Sequence, residues 1–186
     1  MFRSILQLNQ QLSGLLLEVP GLVSRFERKA PDALARLMAW IDRTEEMLSS
    51  HRLIEAADIA GLKSRILAPI FDDDRHGTLR RRQQAVAVGL IHDLQEALQQ
   101  ALRPRALKIV QARDMARQLL QIVAQSGAIK YDPAIAFEET IERLWVLCTQ
   151  HDQLRPLAAQ LKVLLPNDDI RLLLAEELDP ADFVGG

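Results

Sequence analysis

The chain has 186 residues, 48% of them hydrophobic, and a formal net charge of -2, enough for one compact domain with a sizeable core. The near-neutral balance excludes a one-signed field that would draw the whole molecule to nucleic acid or to an anionic membrane. The single cysteine, Cys148, excludes an intramolecular disulfide and a cysteine-based zinc site.

Only two Trp, one Tyr and five Phe are aromatic, so the interior must be filled by Leu, Ile, Val and Ala, which suit helix-on-helix packing. The N-terminal residues Met1-Phe2-Arg3-Ser4-Ile5-Leu6-Gln7 are too polar for a signal-peptide core. The longest nearly apolar stretch, 12–23, holds Glu18 and Pro20 and is too short to cross a bilayer. The expectation is a soluble, cytoplasmic protein without a membrane partner.

Leucines recur at three- and four-residue steps along the chain, the period of an amphipathic helix. Ile5, Leu8, Leu12, Leu15 and Val19 share one face of a first helix, predicted to break near Pro20-Gly21 before a short turn through Phe26. A second helix opens at Pro31-Asp32, carries Leu34, Leu37, Met38, Ile41 and Leu48, and ends near Ser49-Ser50-His51. The pattern from Ile54 to Phe71 is helical, with Gly61 and Pro69 expected to kink or divide it. Asp72 to Gly77 reads as a connection, and Thr78 as the N-cap of a long helix with Val86, Leu90, Leu94, Leu98 and Leu102.

Arg103-Pro104 predicts an antiparallel hairpin or a sharp kink, after which Ile109, Ala112, Ala116, Leu119 and Val123 form a nearly heptad face. Gly127 is the expected C-terminal cap, and Asp132-Pro133 the expected start of a helix bearing Ala134, Phe137, Ile141, Leu144 and Cys148. Leu154, Leu157, Leu161 and Leu164 define one shorter helix. Asn167 opens another, with Ile170, Leu173, Leu174 and Leu178. Residues 179–186 read as a frayed tail. The fold class is all-α, a multi-helix bundle of seven to nine helices in a single domain spanning 1–186. Ile41-Asp42-Arg43 with His51 is echoed by Ile141-Glu142-Arg143 with His151; a duplicated helix pair and chance among leucine-rich helices both account for it.

Three signals bear on chemistry. Ala57, Gly61 and Leu62 have helix-turn-helix spacing, which would leave Lys63, Ser64 and Arg65 as exposed DNA readers. In the spacing of Ala57, Ala60, Gly61 and Phe71 the segment resembles the core of TetR-type repressor domains, which are all-α DNA-binding proteins. It departs from them in having about fifty residues ahead of it, Pro69 inside the second helix and Ala68 at a position they reserve for an aromatic, so the family is not assigned. The run Arg80-Arg81-Arg82 follows Asp72-Asp73-Asp74 and reads as a solvated, locally paired face. His92 and Glu96 share a helical face, but no histidine has another at i+3 or i+4, no Glu-x-x-His motif occurs, and no P-loop, dinucleotide fingerprint or nucleophile elbow is present. HEPN-type ribonucleases place a histidine closer to its arginine than Arg43 to His51 or Arg143 to His151.

The sequence therefore points to a non-enzymatic helical interaction or regulatory protein, an adaptor without cofactor or metal, that binds a protein partner or itself. Ile109, Leu119, Val123, Ile141 and Leu144 are the expected interface, pairing inside the monomer or extending into a homodimer. A DNA-binding regulator using Lys63, Ser64 and Arg65 is the alternative reading, and an enzyme with a pocket near His92 a further one.

Overall fold

In the computed structural model, which describes residues 4–69 and 78–183, every regular element is helical. Seven α-helices follow in the order α1 (Ile5–Glu27), α2 (Ala33–Ser50), α3 (Glu55–Leu67), α4 (Leu79–Ser126), α5 (Phe137–Gln150), α6 (Arg155–Leu164) and α7 (Asn167–Glu177), and a 3-10 turn spans Pro180–Phe183. Among the described residues, no helix is long and apolar enough to cross a membrane. Phe71 and the expected connection Asp72 to Gly77 lie outside the described residues.

The buried apolar side chains form two clusters where the length suggested one core. One compact unit is Leu8–Pro104; the other is Met1–Gln7 with Arg105–Gly186, and the division falls inside α1 and inside α4. In the first, Leu12, Leu15 and Val19 of α1 cluster with Leu37, Trp40 and Ile41 of α2, Ile59 and Ile66 of α3, and Leu90, Leu94 and Leu98 of α4. The Trp40 indole N–H would be costly to bury without an acceptor; it donates to the Leu15 carbonyl at 2.9 Å. In the second unit, Ala112, Ala116, Leu119 and Val123 of α4 cluster with Ile141, Leu144, Trp145 and Cys148 of α5, Ala158 and Leu161 of α6, and Ile170, Leu173 and Leu174 of α7.

Four boundaries differ from the sequence expectation. First, α1 continues through Pro20 to Glu27. A proline inside a helix costs about 3 kcal/mol. Here the ring is exposed, so water can serve the carbonyl it leaves unpaired. Burying Leu22 offsets about 1.5–3 kcal/mol, and the partly buried Val23 and Phe26 add to it. Second, of the hairpin or sharp kink expected at Arg103-Pro104, the hairpin is not formed: α4 runs through an exposed Pro104, with Ala101 and Leu102 buried ahead of it and Ala112 and Ala116 buried after it.

Third, Gly61 does not divide α3. The helix passes through it and stops where Ala68, at φ -121° and ψ 69°, is forced out of the helical region by the ring of Pro69. Fourth, Asp132-Pro133 makes a turn instead of a helix start. The Asp132 carboxylate accepts from Ala134 N–H at 2.8 Å and its carbonyl from Ile135 N–H at 3.0 Å, and α5 begins only at Phe137. Of the expected tail 179–186, residues 184–186 lie outside the described residues, while Phe183 is buried and its carbonyl accepts from Tyr131 N–H at 3.0 Å.

The echo in the sequence coincides with like structure. Residues 51–54 link α2 to α3 and residues 151–154 link α5 to α6, one hundred positions apart, and positions 40, 41, 44 and 48 are buried as are 140, 141, 144 and 148. The two histidines each stand just past a helix end. The His51 Nδ1 lies 2.9 Å from the Met47 carbonyl, and the His151 Nδ1 accepts from Gln153 N–H at 3.3 Å.

Candidate functional site

In the Leu8–Pro104 unit, a groove of about 890 Å³ lies between α1 and α2. Arg25 of α1 pairs with Asp32 beside the turn, and Glu18, two helical turns earlier in α1, pairs with Arg43 well along α2. The two helices therefore run antiparallel. Leu17, Glu18, Gly21, Leu22, Ser24 and Arg25 line one side, Arg36, Ala39 and Arg43 the other, with Arg28 and Ala30 at the turn.

Among the lining residues Gly21, Ser24, Ala30 and Ala39 are short. A Cβ added to Gly21 would meet no heavy atom within 4 Å. Glycine in a helix interior costs about 1 kcal/mol relative to alanine, and here no neighbour requires the missing methyl. Leu17, on the same side as Gly21, is 81% exposed.

Four guanidiniums and two carboxylates set the electrostatics. Arg43 holds Glu18 through both terminal nitrogens, at 3.1 and 2.6 Å. A terminal nitrogen of Arg25 reaches both Asp32 oxygens, at 3.1 and 3.0 Å, and Arg36 Nε donates to Asp32 at 3.3 Å. Desolvation works to raise the Asp32 pKa, but the hydrogen bond from Arg36 and the charge of Arg25 outweigh it and hold the carboxyl below its ordinary value. Arg28 is exposed and has no side-chain partner among the described residues. The first arginine of the run noted in the sequence, Arg80, donates to the Pro31 carbonyl at 2.7 Å, which brings a further guanidinium to the α1–α2 turn.

The residues singled out from sequence lie elsewhere. The Lys63 ammonium is held by Glu45 at 2.8 Å and Asp42 at 2.9 Å, and these hydrogen bonds raise its pKa. The Ser64 hydroxyl donates back to the Ala60 carbonyl at 2.9 Å, and Arg65 is exposed. No turn separates Ala57 from Lys63, since all lie within α3. Leu119, Val123, Ile141 and Leu144 are buried together in the second unit, with Ile109 partly buried against them, so these side chains face each other inside the monomer.

His92 lines a shallow groove with Val23, Phe26 and Val88, whereas Glu96 lines another with Asp58 and Asp93. Among the described residues, no three His, Cys, Asp or Glu side chains are grouped to hold a metal ion. Cys148 is buried, and burial pushes its thiol up to about 11, which keeps it protonated and unreactive at neutral pH. The α1–α2 groove was not legible in the sequence. Its signal, short residues at 21, 24 and 39 flanked by arginines, depends on α1 continuing past Pro20. Comparison of the chain with protein-family models, curated proteins and solved structures returns no match.

Proposed function

We propose that this protein is a non-enzymatic helical adaptor that docks a protein partner in the α1–α2 groove. The observation that carries the reading is an 81% exposed leucine, Leu17, in an arginine-lined groove of about 890 Å³. Exposed apolar surface rimmed by polar groups is the usual chemistry of a contact that excludes water at its centre. Self-association through Ile109, Leu119, Val123, Ile141 and Leu144 draws no support, because four of the five are buried in their own unit. The DNA-reading alternative rests on Arg65 alone, since Lys63 is occupied by two carboxylates.

Affinity capture from cells of the native host tests the reading. Leu17→Glu is compared with the wild type and with Val163→Glu, a control at an 83% exposed position on α6. A partner should be retained by the wild type and the control and lost with Leu17→Glu. Identical capture by all three proteins would remove the groove from consideration.

A further inference from the structure

We infer that the groove between α1 and α2 takes an acidic amphipathic helix of a partner protein, its apolar stripe against Leu17 and its carboxylates against the guanidiniums of Arg28 and Arg36. The inference rests on the docking reading above and names the chemistry of the partner.

Three observations favour this occupant. The first is shape: the two antiparallel helices, with Gly21, Ser24 and Ala39 among the residues lining the gap, leave a trough of about 890 Å³, and a helix is the element whose ridge of side chains fits one. The second is the chemistry the arginines already display. Arg43 grips Glu18 through two parallel hydrogen bonds, and Asp32 is shared by Arg25 and Arg36. Planar guanidiniums in this arrangement are built to meet carboxylates. Arg28 is left over, and Arg36 engages Asp32 through Nε only. Four cations against two internal acids leave an excess that an acidic ligand would complete.

The third observation separates this occupant from a nucleic acid. A single strand would need aromatic faces for its bases, and among the described residues no aromatic side chain lines the groove. A duplex backbone would gain nothing from the exposed Leu17, and the chain as a whole is net negative. An amphipathic acidic helix uses both the leucine and the arginines.

The test is selection of a phage-displayed library of random peptides, about four helical turns long, on the full-length protein. Selected clones are then rebound to Leu17→Glu and Arg28→Glu. Both residues are exposed, so the variants should keep the circular dichroism spectrum of the parent. Clones that need the groove should carry Asp or Glu flanking apolar residues at i, i+3, i+4 and i+7. As synthetic peptides they should bind about tenfold more weakly to Arg28→Glu, and more weakly as salt is raised. Groove-dependent clones that prove neutral or basic would overturn the acidic-helix inference and leave the docking reading standing. Clones indifferent to both substitutions would end the docking reading as well. A fluorescein-labelled DNA duplex that binds the wild type and not Arg28→Glu would replace the partner helix with nucleic acid.

Discussion

Asp169, the first-turn acid of α7, is fully buried. One of its oxygens accepts from the backbone N–H groups of Ile5 at 2.6 Å and Leu6 at 3.3 Å, so this side chain caps the first turn of α1, which belongs to the same unit. The negative charge also faces the positive end of that helix. Replacing it with alanine would leave two N–H groups without an acceptor, and Asp169→Ala should lose about 1–3 kcal/mol of stability in urea titrations. An unchanged midpoint would show that the cap contributes nothing. Nothing local in the sequence announces this contact, because Asp169 and Ile5 are 164 positions apart. Cys148, by contrast, shares a helical face with Ile141 and Leu144 in the sequence pattern, and it is buried with them.

At the scale of elements, helical periodicity marked the helical stretches among the described residues, while the local stop signals were less dependable. Pro20 and Pro104 were expected to end or break helices and lie within them. Pro69 does act as a stop, because its ring holds Ala68 out of the helical region. Gly61 is the sharpest case. It would have to sit in a turn for a helix-turn-helix, yet it lies inside α3 with open space where a Cβ would go. Gly61→Ala should therefore raise stability by about 0.5–1 kcal/mol, visible as a higher urea midpoint with the same slope. A lowered midpoint would mean that the position needs a conformation only glycine adopts, as Gly127 does at φ +63°.

At the scale of the molecule, each compact unit carries one tryptophan, Trp40 in Leu8–Pro104 and Trp145 in the other. The variants Trp145→Phe and Trp40→Phe therefore report on one core each. Because the apolar residues form separate clusters, the two fluorescence transitions in urea should not coincide. The Trp145 signal should change first, since α5, α6 and α7 have 14, 10 and 11 residues and helices this short depend wholly on packing. Superimposable curves would show a single cooperative block and overturn this expectation. The all-α class and the buried faces of most helices follow from the sequence alone, since a 3.6-residue period is a local property that few glycines and aromatics disturb. The partition into two cores, the passage of α1 and α4 through their prolines, and the arginine-lined groove were decided only by tertiary structure. Each depends on which distant side chains share a buried surface, and a local pattern carries no record of that.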